Sequence, residues 1–348
     1  MLKDMKSPTG KKIMHNLLKT YDRKNGTLEG WDFMALAGKA NSEDIPNWHE
    51  ATNGPDAAGF WEAMRLEIAT LDKMGAWEVV DREAWMRVVP TTWAFRYKRT
   101  VFGTIKKLKA RICLRGDLEE EGVHYWGSTF APVAQWNMMR LVTMLQAQLE
   151  LESAQVDYEA AFTNAPVATP PGYDRMTPEE QSRHGQFVEM PKGFSEPGKV
   201  LRLRRNLYGS KVAPLKWFSF LKSNLEKCGL ESQTDVDPCL FISDKVICLV
   251  YVDDTLFYAK NKDDIQEVIM KLRELGMKLE PEGDASGFLG VDIRKNPKTG
   301  EITMSQPGLI KKILEDLQID DLKAEDTPAT AILGKDPLGE PCQCSWSY

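Results

Sequence analysis

Two carboxylates stand side by side between two apolar runs, and nothing else in the chain constrains its fold as tightly. Asp253-Asp254 follows Val246–Val252 and precedes Thr255–Ala259. Adjacent carboxylates repel each other, and each resists leaving water unless a cation compensates it. Upstream, Cys239-Leu240-Phe241-Ile242, then Ser243-Asp244-Lys245, then Val246-Ile247-Cys248-Leu249-Val250 read as strand, turn and strand. A second tight reversal at Asp253-Asp254 would hold both carboxylates at a strand end, able to share divalent metals. An Asp-rich hairpin turn is the ordinary reading of a bare Asp-Asp, so the rest of the chain must decide between the two.

The 348 residues allow two or three domains, and 42% hydrophobic content with ten Trp supports a substantial core. The 45 basic and 51 acidic residues give a formal charge of -6, which does not advertise a nucleic-acid binder. The average conceals segregation. Arg96 to Arg115 holds eight Lys or Arg and no acid, and Lys199 to Lys222 holds seven more and no acid. Such blocks suit phosphate contacts, and equally a solvated face balanced by acids elsewhere. The six cysteines form no CxxC pair, and Cys239 and Cys248 sit in strand patterns as small core residues, which fits a reducing compartment. No apolar stretch reaches membrane-spanning length and no signal-peptide core opens the chain, so an intracellular, soluble protein is expected.

Residues 1–50 are poorly patterned. Phe60, Met64, Ile68 and Leu71 then mark a helix with Asp56 as its cap. Trp77–Val80 and Trp93–Lys98 read as strands, and Val101–Arg115 as a hairpin turning near Gly103. Further helices are marked by Met138, Leu141, Val142, Leu145 and Leu149; by Leu215, Phe218, Leu221 and Leu225; by Ile265, Val268, Ile269, Leu272 and Leu275; and by Ile310, Ile313, Leu314 and Leu317. Strands and helices mix without a regular βαβ rhythm, which predicts an α+β architecture. Thr169 to Gln186, rich in Pro and charge, reads as a surface loop.

A third acid, Asp157, follows the strand-like stretch Ser153–Val156. By itself it reads as a helix cap before Tyr158-Glu159-Ala160. On a strand beside the Asp253-Asp254 hairpin it would complete the minimum for a two-metal site.

Taken together, these residues resemble the reverse transcriptase of copia-type long-terminal-repeat retrotransposons. The likeness runs from about Asn47 to the last residue. It is carried by Trp61-Glu62-Ala63-Met64 with Glu67 and Leu71, Gly75-Ala76-Trp77-Glu78-Val79-Val80, Lys109-Ala110-Arg111, Thr129-Phe130-Ala131-Pro132-Val133 and Gln155-Val156-Asp157 through Ala161-Phe162. Met190-Pro191-Lys192-Gly193-Phe194, Leu207-Tyr208-Gly209 with Lys211, Ala213-Pro214 and Trp217, Tyr251-Val252-Asp253-Asp254, Phe288-Leu289-Gly290, Ser305-Gln306 and Thr327-Pro328 follow in the family's order.

The resemblance implies a right-hand polymerase with a ferredoxin-like palm: fingers, palm and a thumb-like region over 51–320. Residues 321–348 would then be the truncated start of a connection toward a missing RNase H. It implies an RNA-directed DNA polymerase with Asp157, Asp253 and Asp254 as catalytic, metal-holding carboxylates and the Tyr158 carbonyl as an added ligand. Two Mg²⁺ ions are expected, Mn²⁺ being the alternative. Arg111 and Lys109 would clamp the triphosphate, Phe162 would close the pocket beneath the sugar, Tyr208 would line it, and Tyr251 and Lys211 would meet primer and template. Expected partners are an RNA/DNA template-primer, dNTPs and the remaining Pol domains, RNase H and integrase, with no membrane. The expected location is the cytoplasm, in virus-like particles, or the nucleus.

Ser210, Val212 and Leu215 stand where the family usually has Leu, Gln and Arg, and His124 lies near a usual Asp. The chain reads as a fragment of a longer polyprotein, a degraded insertion or an excised domain. Two other readings stay open: a non-catalytic nucleic-acid-binding remnant, and a calcium loop over Tyr21–Glu29, with Gly26 one position early and Lys24 at a ligand position.

Overall fold

A computed structural model describes residues 44–99, 104–285, 287–288 and 290–317, together with the short strands Tyr21–Asp22 and Thr27–Leu28. The chain divides into two compact units, Met1–Ser305 and Gln306–Tyr348. Tyr21 pairs with Leu28 and Asp22 with Thr27. That makes a β-hairpin of the stretch expected to wrap a calcium ion; residues 23–26 lie outside the described residues.

Strands β1 (Thr91–Arg99) and β2 (Ile105–Leu114) form an antiparallel hairpin; its turn, expected near Gly103, lies outside the described residues. Alternation along each strand sends Trp93, Phe95 and Tyr97 to the same face as Leu108, Ala110 and Ile112. Helix α1 (Ala57–Lys73) covers that face, with the Phe60 ring 5.3 Å from Phe95 and 5.1 Å from Tyr97. Phe60, Met64 and Leu71 are buried, each contributing about 1.5–3 kcal/mol. Asp56 precedes α1 but makes no capping bond. Its backbone (φ −98°, ψ 16°) lies outside the extended region a cap requires, and its carboxylate accepts from Tyr97 Oη at 3.1 Å instead.

The larger sheet contains β3 (Glu152–Tyr158), β4 (Glu231–Gln233), β5 (Asp237–Ile242), β6 (Val246–Tyr251), β7 (Asp254–Ala259) and β8 (Leu279–Gly283). Its order is β4-β5-β6-β7-β3-β8, antiparallel throughout. Strand β3, which arrives first in the chain, is thus inserted between β7 and β8. Helices α2 (Trp136–Gln148), α3 (Ala213–Lys227) and α4 (Lys262–Glu274) share one core with it: Met139 and Val142, Trp217 and Leu221, Ile265 and Ile269 join Val156, Tyr158, Leu249 and Phe257.

The α2 face differs from the expected one. Leu141 and Leu149 are 43% and 45% exposed, whereas Thr143 and Gln146 are buried. Thr143 is satisfied locally, donating from Oγ1 to the Met139 carbonyl at 2.9 Å, so a polar residue can occupy the inward face and mislead an apolar count. Similarly, 169–186 is not wholly loop: it contains the helix Pro178–Arg183, opened by a Thr177–Glu180 capping box.

A four-stranded sheet in the order Trp77–Asp81, Lys199–Leu203, Phe187–Val188 and Val88–Val89, and a three-stranded one of Gly287–Phe288, Val291–Lys295 and Ile302–Ser305, complete the mixed α/β fold of the first unit. The described part of the second unit is the helix Pro307–Leu317. Among the described residues no helix is long and apolar enough to cross a membrane.

Candidate active site

The β6–β7 reversal is a two-residue turn at Val252-Asp253, one position earlier than expected, so that Asp254 opens β7 opposite Tyr251. Val252 has φ +55°, a left-handed conformation that costs a β-branched residue on the order of 1–3 kcal/mol. The fully buried Trp217 of α3 holds the turn by donating from Nε1 to the Val252 carbonyl at 2.5 Å.

Directly across the ladder from Asp254 lies Asp157, and on the other side of Asp157 lies Glu280 of β8. Residues opposite one another share a face of the sheet, with Cβ atoms about 4.5–5.5 Å apart, and like charges there destabilise it. Asp157 is therefore a strand residue and no helix cap. Burial, then Asp253, Asp157 and Glu282, push the Asp254 carboxyl from 3.8 up to about 6. Asp157 is also raised, by partial desolvation first and then by Asp253, while Lys109 and Lys98 pull it back down.

Those two cations belong to the hairpin. Opposite its aromatic face, β1 and β2 present Arg96, Lys98, Lys107, Lys109 and Arg111, with Arg96 paired to Lys109 and Lys98 to Lys107. Like charges directly across a ladder repel. None of Arg96, Lys98, Lys107, Lys109 or Arg111 has a carboxylate at ion-pair distance among the described residues. Partial burial, then Arg111 and Lys98, lower the Lys109 ammonium to about 8. Glu67 of α1 faces the same cations, and burial raises its carboxyl despite their pull.

Arg111 joins the hairpin to two aromatic rings. Its guanidinium carbon lies 4.4 Å from the Tyr208 ring centroid, and Tyr208 meets Phe162 edge-on at 5.0 Å. Burial pushes the Tyr208 hydroxyl up to about 12. A cavity of about 350 Å³ lies beside them, lined among others by Glu67, Lys107, Lys109, Arg111, Ala160 and Tyr208.

The remaining expected residues lie apart from this cavity. The Tyr158 side chain is buried against Trp217, ring centroids 5.1 Å apart. Tyr251 packs edge-on to Phe288 at 6.2 Å, just before the turn. Lys211 is tied locally: Nζ donates to the Glu119 carbonyl at 2.9 Å and lies 5.6 Å from the Tyr125 ring centroid. Glu119, Glu280 and Glu282 belong to none of the motifs quoted above, and Glu67 enters only beside Trp61-Glu62-Ala63-Met64, without a role.

The donor set suits a hard cation. Among the described residues no three His, Cys, Asp or Glu side chains converge on one ligating point. What the sheet supplies is a pair of opposed carboxylates, with a third in the adjoining turn. That is the incomplete set Mg²⁺ commonly takes, the remaining positions going to water and substrate phosphates.

Residues 74–331 match the family described as reverse transcriptase (RNA-dependent DNA polymerase). The chain is 28% identical over 291 residues to the retrovirus-related Pol polyprotein from transposon TNT 1-94 of Nicotiana tabacum, covering 80% of this chain and 20% of that protein. It is 25% identical over 274 residues to the corresponding polyprotein from transposon RE1 of Arabidopsis thaliana, covering 76% and 17%. To the transposon Ty1-DR4 Gag-Pol polyprotein of Saccharomyces cerevisiae it is 26% identical over 220 residues, covering 62% and 12%. The chain thus spans a fifth or less of the length of these relatives.

Proposed function

We propose, because the chain belongs to the reverse transcriptase (RNA-dependent DNA polymerase) family of copia-type retrotransposons, that it extends a primer 3′-hydroxyl with deoxynucleotides copied from an RNA template. The observation that carries this reading is Asp157 directly opposite Asp254, with Asp253 in the turn beside them and Lys109 and Lys98 near enough to favour the charged form of Asp157. In this reading the six-stranded sheet is the palm, the β1–β2 hairpin with α1 forms the fingers, and the stretch toward residue 320 is thumb-like.

Asp157, Asp253 and Asp254, with the Tyr158 carbonyl, would hold two Mg²⁺ ions. Bound there, such ions activate the attacking hydroxyl and neutralise the leaving pyrophosphate. Burial first, and then the neighbouring carboxylates, disfavour the charged form of Asp254, and a divalent ion bound beside them would favour it. Arg111 and Lys109 receive the triphosphate; the Arg111 guanidinium, its carbon 4.4 Å from the Tyr208 ring centroid, is a planar fork of the kind that suits paired hydrogen bonds to phosphate oxygens. Phe162, its ring edge-on to Tyr208, would close the pocket beneath the sugar against a 2′-hydroxyl and so favour deoxynucleotides. Tyr251, just before the turn, would lie near the primer end, and Lys211 would meet the template-primer. The chain would act beside RNase H and integrase in a longer Pol polyprotein, in cytoplasmic virus-like particles or the nucleus.

The test is primer extension on an RNA template with a DNA primer, dNTPs and Mg²⁺, with Asp253→Asn and a chelator as controls. Extension abolished by both supports the reading. Template binding without extension leaves the chain a nucleic-acid-binding remnant; extension indifferent to Asp253→Asn overturns the reading that these carboxylates carry the chemistry.

A further inference from the structure

Glu119 is 4% exposed, in the bend that follows the 3₁₀ turn Gly116–Leu118. One carboxylate oxygen accepts from Gln186 Nε2 at 2.5 Å and from Ser210 Oγ at 3.0 Å; the other accepts from the Lys211 backbone N–H at 2.6 Å. Its main-chain carbonyl accepts from Lys211 Nζ at 2.9 Å. Four hydrogen bonds therefore fasten this residue to positions that lie 67 to 92 residues further along the chain.

The backbone on either side is docked as closely. Leu114 N–H, at the end of β2, donates to the Tyr208 carbonyl at 2.7 Å. Gly209 has φ +88°, and a Cβ on it would meet the Leu114 carbonyl oxygen at 2.2 Å. A Cβ on Gly116 would meet the Gly209 carbonyl oxygen at 1.9 Å. No side chain fits between the exit of β2 and the Tyr208–Lys211 stretch, so the two backbones move together or separate altogether. Tyr208 is the residue on that stretch whose ring touches both Arg111 and Phe162.

We infer that Glu119 is a positioning residue, a buried latch that locks the Tyr208–Lys211 segment onto the end of β2 and thereby holds the Tyr208 ring between Arg111 and Phe162. Its consequence for nucleotide use rests on the polymerase reading; the latch itself does not. Without the carboxylate, the Lys211 N–H, the Ser210 hydroxyl and the Gln186 amide lose their acceptor in a place water does not reach, and the segment gains by lifting away to be solvated. Tyr208 then no longer orients the guanidinium. Ground-state nucleotide binding is lost ahead of chemistry, because Asp157 and Asp254 stand on the sheet, with Asp253 in the turn that joins two of its strands, and keep their places.

Glu119→Gln keeps the shape but turns an NH₂ toward one of the donor groups, and Ser210→Ala removes a single donor with no change of charge. Two readouts are taken on each: amide hydrogen exchange at Ser210 and Lys211, and dNTP kinetics on a fixed template-primer. For Glu119→Gln, faster exchange at those amides is expected. The dNTP KM rises about tenfold while kcat stays within about twofold, with a smaller shift of the same kind in Ser210→Ala. Unchanged exchange overturns the latch. Faster exchange with unchanged KM overturns its role in positioning. If Glu119→Gln does not fold, Ser210→Ala decides by the same two criteria. A native chain that extends no primer overturns the polymerase reading instead, and exchange still decides the latch.

Discussion

Two basic segments that look alike in sequence have opposite fates in the fold. In Lys199–Lys222, Lys199 meets Asp81 at 2.8 Å, Arg202 and Arg204 share Glu78 at 3.4 and 2.7 Å, and Lys222 reaches Glu226 at 3.8 Å. Those charges are largely spent on the protein's own acids. In Arg96–Arg115 the last cation, Arg115, pairs with Asp117 at 2.7 Å. Arg96, Lys98, Lys107, Lys109 and Arg111, however, crowd one face of a hairpin, two pairs of them directly opposed, and among the described residues none of these five has an acid at ion-pair distance. A repulsion left standing in a folded protein calls for an external anion. The same reasoning with the sign reversed applies to Asp157 and Asp254, which call for a cation. The two unbalanced faces lie close enough for Lys109 and Lys98 to pull on Asp157. A metal-bound triphosphate answers both.

The contrast can be broken most severely from the acidic side. Asp157→Asn leaves the hairpin intact, yet primer extension should fall by at least about a thousandfold in kcat, because the ions that the cationic face works with lose a ligand. A steady-state rate within tenfold of native would detach the hairpin from the chemistry. Next comes the hairpin itself. Arg111→Ala should raise dNTP KM by about 10- to 100-fold, as loss of charge-assisted hydrogen bonds worth about 1.5–3 kcal/mol implies. Arg204→Ala, in the paired block, should change it less than twofold (about 0.4 kcal/mol), since an exposed pair contributes little. Equal effects would erase the difference between the segments.

Smaller still is the salt response of template-primer binding. Lys98→Ala should reduce the slope of log Kd against log salt by about 1, and Lys199→Ala should leave it unaltered. The smallest effect concerns stability. A carboxyl raised from 3.8 to about 6 holds its proton more tightly in the folded state, so its stabilising contribution is complete below about pH 4 and fades as pH rises through 6. In metal-free protein at pH 7, Asp254→Asn should therefore melt about 2–4 °C higher than native, or about 1 kcal/mol after allowance for its partial exposure. At pH 4 the two should melt together, which a pair of calorimetric scans would show.

The sheet hairpins were legible because strand alternation is local, and the apolar runs around Asp253-Asp254 leave little freedom of register. Asp157 was legible only beside a partner strand, nearly a hundred residues on, that puts Asp254 opposite it. The two basic blocks could not be separated in advance, because Asp81 and Glu78, which pair with Lys199, Arg202 and Arg204, lie on a strand 118 to 126 residues away. Glu119 was missed for the same reason: its donors are supplied by Gln186, Ser210 and Lys211. The Asp56 cap failed differently. Its neighbourhood has the right residue type, but Tyr97 of the hairpin claims the carboxylate.

The most direct test of a joint site is binding without chemistry: the Kd of the matching dNTP, with Mg²⁺, for the complex of this chain with an RNA template and a chain-terminated DNA primer. The native chain should bind only with Mg²⁺ present. Asp157→Asn and Arg111→Ala should each weaken binding about tenfold or more (about 1.4 kcal/mol), while Arg204→Ala binds as native. Equal affinity in all four proteins, or binding indifferent to a chelator, would contradict the account.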